Sequence, residues 1–386
     1  MIKIAVVSDM HCMHSSKEKP PDVATYLYSD DIGRSETRHP IKALKNLIDK
    51  DELDAYILLC PGDITNLADT QGLITGWSYL EKIRVKIGAK KLIATVGNHD
   101  VASRNDDIGN VNLDLQLLDA NYPIPSDLVR GDFWTNGYSF VDFENILVLN
   151  INSCHFHNNS KTAKKSKIDI SQLDSIRKEL QKKDLTGFDY KIVLIHHHPI
   201  PHSNMDYEDL DMLDKGDELI ALLNQYKFQI LIHGHKHDAR LTIYQSLPIF
   251  CAGSLSSLMN VKDLKSDNTF HIINLEAGEA KGYIESWIYA PQEGWVSRLD
   301  TRFPCLTGFG FNGDIKTLAK TINDWLSEKT KENRSYYEPL ATAIPDLKFL
   351  TNANQVDLSK ILETEYDLEF SPNYPNKPKL ISKLIR

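Results

Sequence analysis

Five short clusters of carboxylate, imidazole and amide side chains lie between Asp9 and His237 of this 386-residue chain. Asp9-Met10-His11 follows the apolar run Ile2–Val7. In extended chain, residues i and i+2 point the same way, so this carboxylate and imidazole can share one metal ion. Gly62-Asp63 follows Ala55–Leu59, and the glycine permits a tight turn that presents the carboxylate. Taken singly, these two are ordinary polar strand ends or helix caps. Gly97-Asn98-His99-Asp100 follows Leu92–Val96. There an amide oxygen can ligate a metal, a histidine can act on a substrate, and an aspartate can hold its ring. Gly-Asn is also good turn chemistry. His196-His197-His198-Pro199 follows Lys191–Ile195; neighbours alternate sides, so three consecutive histidines cannot all face one ion. His233-Gly234-His235-Lys236-His237 repeats the i, i+2 relation after Phe228–Ile232.

Together these clusters offer nitrogen and oxygen donors and no thiolate, a set that suits Mn²⁺, Fe or Zn²⁺. One catalytic ion commonly takes about three protein ligands and keeps an open position. The donors here outnumber that and fit two ions roughly 3.5–4 Å apart with a shared bridge.

The elements that must position them alternate. Ile2–Val7, Ala55–Leu59, Leu92–Val96, Ile146–Ile151 and Lys191–Ile195 read as buried, mostly parallel strands. Ile41–Ile48, Leu73–Ile87 and Ile170–Leu180 carry apolar residues at helical spacing. This is α/β alternation, with the clusters at the strand ends where such sheets build ligand sites. Beyond Phe228 the runs Phe228–Ile232, Leu241–Tyr244, Ile249–Ala252, Phe270–Leu275 and Gly282–Tyr289 follow one another with little room for helices. From about Pro304 the character changes again: Ile315, Leu318, Ile322 and Trp325 form a helical stripe, and SPNYPNKPK punctuates the tail.

Composition narrows the class. Apolar residues make up 41% and charged residues 25%, as in an ordinary globular protein. A net charge of -9 argues against a dedicated duplex-DNA binder, whose affinity rests on neutralising phosphates. Five scattered cysteines, Cys12, Cys60, Cys154, Cys251 and Cys305, lack C-x-x-C spacing and suggest neither a disulfide framework nor a thiolate zinc site. The opening MIKIAVVSDMH has no apolar signal region, and no apolar run approaches the ~20 residues of a membrane span. A soluble protein of the reducing cytoplasm is expected.

The clusters, in this order, resemble the signature of the calcineurin-like metallophosphoesterase superfamily over roughly residues 1–300. The resemblance implies an α/β fold, a four-layer α/β/β/α sandwich spanning 1–303, followed by a partly helical C-terminal appendage at 304–386. It implies a first divalent cation on Asp9, His11 and His237, Asp63 as the bridge, and a second cation on Asn98, His197 and His235, with His196 as the alternative to His197. His99 would be the catalytic histidine and Asp100 its orienting partner. Mn²⁺ is the favoured cofactor, with Fe or Zn²⁺ as alternatives. The implied reaction is attack on phosphorus by hydroxide generated between two cations, without a covalent enzyme intermediate.

Three loops bear on the substrate, a phosphoester. Cys12–Pro40 is long enough for a lid or specificity element and carries Tyr26, Tyr28, Arg34, Arg38 and His39. Lys161, Lys164, Lys165 and Lys167 follow Cys154-His155-Phe156-His157 as a basic stretch. Against them stand Asp206, Glu208, Asp209, Asp211, Asp214 and Asp217, which would repel an extended phosphate backbone. A small, cyclic-nucleotide-type phosphodiester is therefore favoured, and GDITNLADTQGL, from Gly62, resembles the phosphodiesterase branch. A nuclease or a phosphomonoesterase is the alternative within the chemistry, and a catalytically silent binding module of the same fold the alternative outside it.

Overall fold

The computed structural model describes residues 1–16, 24–31, 34–107, 109–119, 121–202, 211–258, 267–329 and 334–384. Asp206, Glu208 and Asp209, and part of the Cys12–Pro40 loop, lie outside the described residues.

The strands in chain order are β1 (Ile2–Val6), β2 (Ile57–Cys60), β3 (Lys91–Ala94), β4 (Tyr138–Phe143), β5 (Ile146–Ile151) and β6 (Tyr190–Leu194). Then come β7 (Ile230–His233), β8 (Arg240–Tyr244), β9 (Leu247–Cys251), β10 (Thr269–Leu275) and β11 (Gly282–Ala290). The last are β12 (Gly294–Ser297), β13 (Leu306–Phe309), β14 (Arg334–Tyr336), β15 (Leu368–Ser371) and β16 (Leu380–Lys383). Helices α1 (Pro40–Lys50), α2 (Thr70–Lys86), α3 (Leu113–Leu117), α4 (Asp127–Asn136), α5 (Ile170–Lys182) and α6 (Gly216–Gln225) serve the first part of the chain. Helices α7 (Ile315–Lys329), α8 (Tyr337–Ala343) and α9 (Asn352–Glu365) follow.

One sheet runs β12-β11-β10-β1-β2-β3, with β13 also on β11. Its β1, β2 and β3 are mutually parallel. The other runs β4-β5-β6-β7-β9-β8, with β5, β6, β7 and β9 parallel. Adjacent residues of the second sheet belong to different cores: Val148, Ile192 and Ile230 pack with the first sheet, whereas Leu149, Val193 and Leu231 pack with α5 and α6. Period-two alternation of apolar residues on both faces is what a doubly covered sheet requires. On the outer face of the first sheet α1 buries Ile41, Leu44, Leu47 and Ile48, and α2 buries Leu73, Trp77, Leu80 and Ile83. The order helix, sheet, sheet, helix is the four-layer α/β/β/α sandwich.

Local chemistry starts these helices. The Asp69 carboxylate accepts from the Gly72 amide at 2.6 Å to open α2, and Asp169 with Gln172 forms a capping box on α5. Helix α6 lies just beyond the acidic run, whose charges mask its apolar stripe Leu219, Ile220, Leu222 and Leu223. The described part of the Cys12–Pro40 loop is packed in place: Met13, Thr25, Leu27 and His39 are buried, and Arg34 is held by Asp31 and the Tyr26 carbonyl.

The C-terminal unit has its own core, formed by Leu318, Ile322, Leu340, Leu358, Leu362 and Ile381 among others. It contains three helices and the three-stranded sheet β14-β16-β15. Leu306–Phe309 pairs with β11 in the large sheet, and the separate core is built from residues beyond it. The Gly308 amide donates to the Leu350 carbonyl at 3.0 Å, and a Cβ at 308 would overlap the backbone of Phe349 and Leu350. Gly308→Val is expected to destabilise the protein by about 1–3 kcal/mol, the usual penalty of overpacking. Thermal unfolding with limited proteolysis checks this, and the C-terminal unit should be cut first.

Candidate metal centre

The five clusters meet at one end of the paired sheets. Asp9 and His11 follow β1, Asp63 follows β2, Asn98 and His99 follow β3, His196 follows β6, and His235 and His237 follow β7. Asp9, His11, Asp63, His235 and His237 all adopt positive φ, from 48° at His11 to 71° at His235. A non-glycine residue in that region costs roughly 1–2 kcal/mol, and such outliers gather where side-chain direction matters. Two glycines allow the close approach. A Cβ at Gly97 would overlap the Asp63 carboxylate, and one at Gly234 would overlap that of Asp9.

Two donor groups result. In the first, one donor atom from each of Asp9, His11, Asp63 and His237 lies within 4.8 Å of the others. His237 Nε2 is 2.9 Å from His11 Nε2 and 3.2 Å from Asp9 Oδ1. In the second, Asn98 Oδ1 sits 3.0 Å from His196 Nε2 and 2.9 Å from His235 Nδ1. Asp63 Oδ2 faces both groups, 3.6 Å from His11 Nε2 and 3.4 Å from His196 Nε2.

These contacts fit a cation. The Pro61 carbonyl can only accept, so His196 Nδ1, 2.8 Å away, donates to it and Nε2 is the ring atom that faces the site. Nε2 meets two acceptors, Asn98 Oδ1 and Asp63 Oδ2, in a place closed to water, where its own proton or a bound cation supplies the positive charge. Acceptors crowded against acceptors are reconciled by positive charge between them. Asp9, His11, Asp63 and His237 are thus a site for a divalent metal by donor chemistry.

The field at the site is strong. Burial would raise the Asp63 pKa, but the surrounding imidazoles, His196 foremost, hold it well below the usual carboxylate range. Burial would lower His196, yet Asp63 lifts it to about 9. Burial pushes His11 well below its ordinary value and His99 down to about 4. Asp100 is raised to about 7 by burial and by its neighbour Asp63.

Two expected roles change in the structure. His196, not His197, faces Asp63 and Asn98; His197 Nδ1 turns to Ser153 Oγ at 2.7 Å. His197 nevertheless keeps one donor atom within 4.8 Å of one each from His196 and His235, so it stays beside the second group. Asp100 does not hold the His99 ring. Its oxygens accept from the Thr65 and Gly97 amides, both at 2.9 Å, and so shape the loop itself. Asn66 Oδ1 instead accepts from His99 Nδ1 at 2.8 Å. Asn66 was the missed residue; its signal was its place three after Asp63, at the neck before α2. Arg104 was missed as well: its Nη1 donates to the Asn98 carbonyl at 3.3 Å at the rim. Of the acidic loop, Asp211 reaches His235 Nε2, with Oδ2 at 3.8 Å.

Residues 2–239 match the family model for calcineurin-like phosphoesterases. The chain belongs to that family. Its chemistry is phosphoester hydrolysis, and the fold and donor groups described above agree with it. A protein of Ruthia magnifica subsp. Calyptogena magnifica, named a probable cyclic nucleotide phosphodiesterase, is 26% identical over 198 residues, which are 51% of this chain and 68% of that protein. Among solved structures, a purple acid phosphatase from yellow lupin (Lupinus luteus) seeds is 16% identical with a TM-score of 0.48. That match covers 76% of this chain and 52% of the plant protein, so the chain spans about half its length. Vacuolar Protein Sorting 29 from Cryptosporidium parvum is 11% identical with a TM-score of 0.34, over 76% of this chain and 94% of its own. No helix among the described residues is long and apolar enough to cross a membrane.

The two histidines can be separated by titration with Mn²⁺. His196→Ala is expected to weaken binding at least ~100-fold, more than loss of a mere supporting partner does. His197→Ala is expected to weaken it less than ~10-fold. Isothermal calorimetry reads both, and equal losses would return His197 to the ligand set.

Proposed function

We propose that this calcineurin-like phosphoesterase is a two-cation phosphodiesterase acting on a small, cyclic-nucleotide-type substrate. The observation that carries the reading is the position of Asp63 Oδ2, shared between two buried donor groups 3.6 and 3.4 Å away. Asp9, His11 and His237 would hold the first ion, Asn98, His196 and His235 the second, and Asp63 would bridge them. Two divalent ions, Mn²⁺ favoured and Fe or Zn²⁺ as alternatives, would activate water and neutralise phosphoryl charge.

The chain's own residues then have distinct tasks. Asn66 holds the proton on His99 Nδ1, so the neutral ring presents Nε2 as an acceptor towards the site, where it can take up a proton during the reaction. His99 also anchors the bridge through its backbone, the amide donating to Asp63 Oδ1 at 2.8 Å. Arg104, beside Asn98 at the rim, offers a fixed positive charge to a phosphate oxygen. Gly97 and Gly234 keep the loops close enough to exclude water from the carboxylates.

Two observations support the substrate class. The relative from Ruthia magnifica carries a cyclic-nucleotide phosphodiesterase name. Asp211 puts negative charge beside His235, unfavourable for a long polyanion. Five free cysteines suit a reducing, cytoplasmic setting.

Release of product from a cyclic nucleotide, single-stranded DNA and a phosphopeptide, compared with Mn²⁺ present, tests this. The cyclic nucleotide should be cleaved fastest, with about two ions per chain, and Asn98→Ala should lose at least ~100-fold in rate. Full activity of the wild type in thorough chelator would sink the metal reading. Preference for DNA or phosphopeptide would sink the substrate reading, and no turnover of any ester would favour a binding module.

Asn66→Ala separates positioning from metal binding. It is expected to keep its metal content and KM while kcat falls about 10-fold or more, part of the ~10²–10⁴ that a positioned proton-transfer group supplies. Asn66→Asp, which keeps an acceptor for Nδ1, should restore part of the rate.

A further inference from the structure

Beside the site, His197 takes part in a group that the phosphoesterase reading leaves unused. The chain turns at Asn152, with the His155 amide bonded to the Asn152 carbonyl at 3.1 Å and the His157 amide to the Cys154 carbonyl at 2.9 Å. Side chains three apart on so tight a turn stand on the same side. Cys154 and His157 therefore point together, and with His197 they bring one donor atom each within 4.8 Å of one another. Cys154 Sγ lies 4.0 Å from His197 Nδ1.

All three residues are almost completely buried, with exposures of 1%, 1% and 2% for Cys154, His157 and His197. Neither ring nitrogen of His157 makes a hydrogen bond of normal geometry. The Lys165 main chain faces the ring and favours its charged form, while burial opposes it more strongly. A buried imidazole left in that state costs free energy and calls for an explanation, and an ion is one. Burial, and then the Asp63 and Asp100 carboxylates, push the Cys154 thiol well above its ordinary pKa, so without a cation it stays protonated.

We propose that Cys154, His157 and His197 form a third metal site, chemically softer than the Asp63-centred pair and suited to Zn²⁺. One thiolate and two imidazoles are a tetrahedral zinc set with the fourth position left to water. The pair offers carboxylate, amide and imidazole donors, which take hard ions such as Mn²⁺ readily, whereas sulfur selects Zn²⁺ against them. The thiol proton leaves to solvent as the ion binds, and the thiolate charge offsets part of the added positive charge.

The site has a structural consequence. Cys154 and His157 begin the loop that carries Lys161, Lys164, Lys165 and Lys167. That loop is tied to its neighbours: Ser160 bonds Asp106, and Ser166 Oγ donates to the Asp211 carbonyl at 2.8 Å. An ion shared with His197 would pin the base of this loop to the end of β6, beside the catalytic pair.

Titration of the full-length, metal-stripped protein with Co²⁺ tests the site, because a thiolate ligand produces a sulfur-to-cobalt charge-transfer band that nitrogen and oxygen ligands do not. The band is expected in the wild type, absent from Cys154→Ser, and strongly reduced in His157→Gln. It should persist in Asn98→Ala, where the pair is impaired, so failure here and failure of the two-cation reading are distinguishable. Wild-type protein equilibrated with Zn²⁺ and freed of excess should retain about one ion more per chain than Cys154→Ser. If Cys154→Ser does not fold, His157→Gln decides. Absence of the band in the wild type, or its full intensity in either variant, overturns the proposal.

Discussion

Burying a carboxylate away from water costs several kcal/mol unless charge or hydrogen bonds compensate, and this chain buries Asp9 and Asp63 together. Asp9 accepts from the His235 amide at 3.0 Å and from Ser8 Oγ. Asp63 accepts from the His99 amide. Hydrogen bonds to a charged group contribute about 1.5–3 kcal/mol each. The donor to Asp9 comes from the loop after β7, in the opposite sheet. The anion therefore ties the two sheets together at the end where they part, and the site is also a clamp of the fold. The imidazoles around Asp63, His196 foremost, complete the compensation, and a divalent cation can take over the charge that the His196 proton supplies.

Such crowding sets what each strand end must do. A regular strand would turn Asp9 and His11, or His235 and His237, along one line of the pleat. Positive φ at all four swings them out of that line and towards one another. The strain is distributed over separate loops, each seated on an independently buried strand, so no single turn carries it. Gly97 and Gly234 then remove the bulk that would hold the loops apart.

Much of this was legible in the sequence because burial and polarity alternate sharply at the strand ends. The runs at β1, β2, β3, β5, β6 and β7 are apolar on both faces, and a polar cluster follows each of five of them. What resisted reading had specific causes. Helix α6 stands beside a run of acids whose charge hides its stripe, and β4 (YSFVDF) is a half-exposed edge strand without a long apolar run. His196 and His197 differ only in which side of the chain they face, and the phase of a strand end is lost once it bends. The role expected of Asp100 went to Asn66 because the Gly97-Asn98-His99-Asp100 turn needs the Asp100 carboxylate for its own amides. Cys154 and His157 form a pair only because the chain turns between them, and scattered cysteines do not announce a turn.

The longest strand of the first sheet has one further property. Along its outer side, β11 divides its nine residues between two short partners: Gly282–Glu285 pair with β13 and Trp287–Ala290 with β12. An unpaired row of amides that long would be a template for another chain, a hazard that natural sheets avoid by shortening or covering their borders. Here each covering strand has only four residues, and the C-terminal unit hangs from one of them through Gly308. Its contact at Gly308 braces β13, so the long row of β11 stays divided between two short partners and offers no continuous template.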